Sequence, residues 1–86
     1  MLNLEKFRPK LNDRSEKVYL AIREDAEKMS WLRWAKKNRM FECGNIRINN
    51  YQTAIEAVVD EKAEELGIRL SIIEKGNIQT NLILDS

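Results

Sequence analysis

The eleven residues Trp31-Leu32-Arg33-Trp34-Ala35-Lys36-Lys37-Asn38-Arg39-Met40-Phe41 hold both tryptophans of the chain, four cations and no acid. Rings that stack on bases, next to cations that meet phosphate, are the ingredients of a nucleic-acid surface. Trp and Arg are equally the residue types enriched as anchors in protein interfaces. On a helical wheel at about 100° per residue, Arg33, Lys36 and Lys37 gather on one arc, while Trp31, Trp34 and Phe41 gather largely on another. That separation works against bases interleaved with the rings. It suits rings turned toward the protein or a partner and cations turned toward solvent.

Two binding chemistries follow. In the first, a basic N-terminal face made of Arg8, Lys10, Arg14, Lys17, Arg33, Lys36, Lys37 and Arg39 associates with the backbone of DNA or RNA without reading sequence. Roughly five phosphate contacts would give a log–log salt slope near about −4 on duplex DNA. In the second, Trp31, Trp34 and Phe41, or an unpaired sheet edge, anchor a protein partner or a second copy of the chain as a homodimer.

Other chemistries are poorly served. The chain has no histidine, which removes His-assisted nucleophiles, His-metal sites and the commonest general base. A single cysteine, Cys43, cannot build a thiolate zinc site or an internal disulfide, and it points to a reducing compartment, the cytoplasm by default. The three glycines, Gly44, Gly67 and Gly76, form no phosphate-cradling loop. Asp60 with Glu64, and Glu61 with Glu65, stand one helical turn apart and could hold Mg²⁺, but their place away from an apolar stripe makes them a solvated face. The expectation is a non-enzymatic binding or regulatory module with no metal and no cofactor.

With 86 residues, 43% of them hydrophobic and 34% charged, the chain is sized for one domain, 1–86, around one core. No apolar run approaches the roughly 20 residues of a membrane span, so no membrane partner is expected. The net charge is +1, unevenly spread: residues 1–47 hold twelve Lys/Arg against seven Asp/Glu, and residues 48–86 hold three against seven. Such asymmetry either polarises the surface toward an anionic partner or reflects complementarity between the two halves.

The elements that must position these residues are read from periodicity and punctuation. Leu2 and Leu4 alternate in a short strand over 1–5, which Pro9 ends. Asn12 and Asp13 supply N-cap chemistry, with Asp13 and Glu16 at capping-box spacing. A helix follows with Val18, Ile22, Ala26 and Met29 on one face. Trp31, Trp34, Ala35 and Phe41 fall on the opposite side of that cylinder, which predicts a break near Met29–Ser30 and a second helix from Trp31 to about Met40. One long helix covered on both sides is the alternative.

Ile46 and Ile48 read as a second strand after a turn at Gly44-Asn45. A helix from Tyr51 to Leu66 buries Ile55, Val58, Val59, Ala63 and Leu66, and stops at Gly67 with Ile68 packed behind it. Its five acids against one lysine, Lys62, exclude it as a major-groove recognition helix. Ile68–Glu74 and Ile78–Leu84 then read as a hairpin around a three-residue loop, Lys75-Gly76-Asn77.

The expected fold is therefore α+β: a single small domain in the order β-α(α)-β-α-β-β, with a mixed sheet, helices on one face and a C-terminal β-hairpin. The same order of elements occurs in Alba-type nucleic-acid-binding proteins and in the C-terminal domain of translation initiation factor three. The resemblance is one of topology. Those proteins carry a basic loop into the second main helix, where the matching stretch here, Asn49-Asn50-Tyr51-Gln52-Thr53, has no cation.

Overall fold

Helix starts are set by side chains that take up the otherwise orphaned first amides. Asn12 does this for α1 (Asp13–Glu24), its side-chain oxygen accepting from Ser15 N at 2.9 Å. Asn12 is the cap, and Asp13 is already in the first turn, where its negative charge suits the helix dipole. The computed structural model describes residues 8–37, 42–43, 46–47 and 50–85.

α1 ends at Asp25, whose extended backbone interrupts the helix for one residue. Asp25 then opens α2 (Ala26–Lys37) by accepting from Lys28 N at 3.1 Å. The break thus comes four residues before Met29, and Ser30 lies inside α2. Its reason is a capping aspartate, not a reversal of the buried face. The apolar stripe of α1, Val18 and Ile22, continues into α2 as Met29, Leu32 and Ala35, all buried. The tryptophans are left off this stripe.

α3 (Asn50–Glu65) buries Ala54, Ile55, Val58, Val59 and Ala63. Gly67, at φ +68°, closes it. Gly67 N donates to Glu64 O at 3.0 Å and Ile68 N to Ala63 O at 2.8 Å, the paired bonds of a glycine-terminated helix. Leu66, expected on the apolar face, is exposed, and Lys62 takes a buried place instead. Its aliphatic stem covers the core while its ammonium reaches Asp25 and Glu65, each at 3.3 Å.

The expected α+β fold with a C-terminal hairpin is overturned by α4 (Ile72–Asp85), a single helix. Ser71 and Glu74 form a reciprocal capping box: Glu74 N donates to Ser71 Oγ at 3.2 Å, and Ser71 N donates to Glu74 Oε1 at 2.9 Å. Downstream, Ile78, Asn81 and Leu82 are buried at helical spacing. Gly76 and Asn77, expected as a turn, lie within the helix. The only strands among the described residues are a two-residue antiparallel pair, β1 (Glu42–Cys43) with β2 (Ile46–Arg47), Glu42 facing Arg47 and Cys43 facing Ile46. The strand expected over residues 1–5 lies outside the described residues. With the mixed sheet gone, the topological likeness to Alba-type proteins and to the initiation-factor domain goes too.

The four helices share one core in which α3 packs against all three others, while α2 and α4 each pack on α1 and α3. α2 and α4 are thus joined mainly through α1 and α3 and not by a large contact of their own. No described helix is long and apolar enough to cross a membrane.

Candidate partner-binding face

Burial of Met29, Leu32 and Ala35 fixes the rotation of α2. At about 100° per residue, Trp34 then points almost directly away from the core and Trp31 sits at the border. Trp34 is 61% exposed and Trp31 42%. Arg33 and Lys37 are exposed on the same outer surface, and neither makes an ion pair with a described residue. Lys36, on the same arc but nearer the core, is half-buried with its ammonium 5.9 Å from the centroid of the Tyr51 ring. Phe41 and Arg39 lie outside the described residues. Of the two orientations expected for the rings, toward the protein or toward a partner, Trp31 and Trp34 do not take the first.

Two cations of the expected basic N-terminal face, Arg8 and Arg14, are engaged by α4. Arg8 is taken up by α4: it donates to Asn81 Oδ1 at 2.9 Å and to Asp85 Oδ1 at 3.0 Å. Arg14 lies within 3.2 Å of both carboxylate oxygens of Glu74. Lys10 and Lys17 are exposed near the start of α1, and Arg33 and Lys37 are exposed in the second half of α2. Among the described residues, Arg33 and Lys37 share the exposed surface of α2 with Trp34.

Two polar junctions that sequence reasoning missed hold this scaffold. At one end, Asn12 Nδ2 donates to Glu74 Oε2 at 2.9 Å, so the caps of α1 and α4 interlock. Bonds from Ser71 N and from Asn12, with the Arg14 charge beside them, hold the Glu74 carboxyl down at a pKa of about 2. At the other end, Asp85 Oδ2 accepts from the Tyr19 hydroxyl and from Arg23 at 2.7 Å, while Oδ1 accepts from Arg8. Burial works against the Asp85 charge, but these donors hold its pKa below the usual carboxylate value. The Tyr19 hydroxyl is raised by burial and by the Asp85 bond. Asn81, buried, completes the junction by donating to Pro9 O at 3.0 Å and to Asn77 O at 2.9 Å.

Three of the four helical carboxylates are engaged by lysines. Asp60 is bridged to Lys75 at 2.9 Å, Glu61 to Lys28 at 2.8 Å and Glu65 to Lys62. Among the described residues no three His, Cys, Asp or Glu side chains converge as metal ligands. A shallow groove between α3 and α4 is lined by Glu56, Asp60, Ile72, Lys75, Gly76 and Gln79. Ile72, 89% exposed, and its neighbour Ile73, 76% exposed, are the most open large apolar side chains among the described residues.

Comparison with protein-family models, curated proteins and solved structures finds no match to this chain.

Proposed function

We propose that the chain is a non-enzymatic interaction module that docks on a protein partner through the outer face of α2, with Trp31 and Trp34 as anchors. The observation that carries this reading is the exposure of Trp34 on a helix whose inward face is already filled by Met29, Leu32 and Ala35. A large ring on a flat, solvent-facing helix surface is unusual for stability alone and is the residue type that dominates interface energetics. Arg33 and Lys37 on the same surface favour a partner with an apolar pocket rimmed by acids. A single cysteine in the sequence supports a reducing, cytoplasmic setting.

Nucleic-acid association is the second reading, favoured by Arg33 and Lys37 standing beside Trp34. One experiment separates the two. A photo-crosslinking phenylalanine replaces Trp34 in cells producing the chain, with the same probe at Lys17 as the control. A protein adduct specific to position 34 supports docking through α2. A nucleic-acid adduct at 34, lost as salt is raised, replaces the first reading with the second. Identical adducts at both positions, or none at 34, overturn both.

A further inference from the structure

The proposed α2 face raises the question of what it docks on, and the chain carries a surface of the complementary kind. The α3–α4 groove offers exposed Ile72 beside Glu56, an acid without an ion pair among the described residues; Asp60 and Lys75 of the same lining pair with each other, and exposed Ile73 follows Ile72 on α4. The α2 face offers Trp31 and Trp34 beside Arg33 and Lys37. We infer that a second copy of this chain is the occupant: α2 of one copy seats its tryptophans against Ile72 and Ile73 of the next, with Arg33 and Lys37 near Glu56.

Charge selects this arrangement over the symmetric ones. An isologous contact pairs a patch with itself, so α2 against α2 would set Arg33 and Lys37 of one copy against the same cations of the other. The groove holds Glu56 and Asp60 against one cation, Lys75, which Asp60 already engages, so the groove against itself would set one net negative surface on another. Like charges brought together at an interface oppose binding, whereas α2 against the groove sets cation against acid.

The placement of the two surfaces determines what association produces. α2 and α4 each pack on α1 and α3 and share no large contact, so the two surfaces are separate, and a head-to-tail contact leaves one α2 face and one groove free at the ends. Heterologous contacts of this kind grow into open chains or close into rings. An apolar contact reinforced by opposite charges at its rim also weakens as the screening length shortens from about 10 Å at 0.1 M salt to about 3 Å at 1 M.

This inference rests on the α2 docking reading, and a mixing experiment separates the two. Sedimentation equilibrium is run on the full chain, on W31A/W34A, on I72S/I73S and on an equimolar mixture of the two variants. All the altered residues are exposed, and circular dichroism checks that each variant keeps its helices. Expected are concentration-dependent assembly of the parent chain, monomers of each variant alone, and a species of twice the chain mass in the mixture, where one intact α2 face meets one intact groove. Assembly of I72S/I73S alone, undiminished, overturns the head-to-tail contact while leaving α2 as a docking face. Undiminished assembly of W31A/W34A overturns both. A parent chain that stays monomeric at every concentration, or a mixture with no dimer, overturns the self-association inference, and the crosslink at position 34 then judges the α2 reading by itself.

Discussion

The Glu74 carboxylate accepts from Ser71 N and from Asn12, so protonating it loosens the starts of α4 and α1 together. Its folded pKa, about 2, lies below its ordinary 4.5. An acid depressed in this way contributes fully above its unfolded pKa and loses that contribution as pH falls through the folded value. Stability is therefore expected to decline between about pH 4.5 and about pH 2. Glu74→Gln should lower the melting temperature at neutral pH and flatten the acid limb; thermal melts across that range check it, and an unchanged acid limb would show that Glu74 is not the group responsible. Asp85 sits at the negative end of the α4 dipole with no basic residue in the last turn of its own helix. Arg8 and Arg23 supply the missing charge from elsewhere. Asp85→Asn should cost about 1–3 kcal/mol in urea unfolding by leaving these donors poorly partnered, with a loss near zero counting against the junction.

Among the elements, those stopped and started by local chemistry were legible. Asn12 as a cap, α3 and its glycine stop at Gly67 follow from short-range rules that tertiary packing did not override. α4 was not legible because Ile68 to Leu84 carries two patterns at once. Its β-branched residues and Gly76-Asn77 resemble a hairpin, while Ser71-x-x-Glu74 followed by Ile78 and Leu82 is a capping box leading an apolar helix stripe. Packing on α1 and α3 selects the second, since β-propensity is a statement about context more than about backbone. The sequence pattern places the break in the first helix where the buried face would have to flip; with the tryptophans outside, no flip is needed, and Asp25 breaks the helix where it can cap the next. Glycine substitution distinguishes helix from hairpin by sign. A Cβ at Gly76 meets nothing within 4 Å, and its φ is not positive, so Gly76→Ala should stabilise the protein by about 0.5–1 kcal/mol. A hairpin loop using Gly76 would lose stability instead. Gly67→Ala, at φ +68°, should destabilise by about 1 kcal/mol.

Over the whole molecule, the charge asymmetry of the two halves is largely internal. Arg8 and Arg23 pair with Asp85, Arg14 with Glu74 and Lys28 with Glu61, each joining a cation from the first half to an acid from the second. The sequence allowed this as one of two accounts of the imbalance, and pairing across the fold is a long-range property that spacing along the chain does not reveal. The same ion pairs engage Arg8 and Arg14 of the expected phosphate-binding face, while Arg33 and Lys37, which share α2 with the tryptophans, make none with a described residue. The core, meanwhile, closes over Val18, Ile22, Leu32, Ile55, Val58, Val59, Ile78 and Leu82 without either tryptophan. That Trp34 serves contact with a partner and not the integrity of the fold is the central claim, and the unfolding free energy of Trp34→Ala tests it most directly. The expected change in urea denaturation is small, about 0.5 kcal/mol in either direction, as for a surface position. A loss of about 3–5 kcal/mol, the cost of removing a core tryptophan, would place Trp34 inside the protein and contradict the proposed docking face.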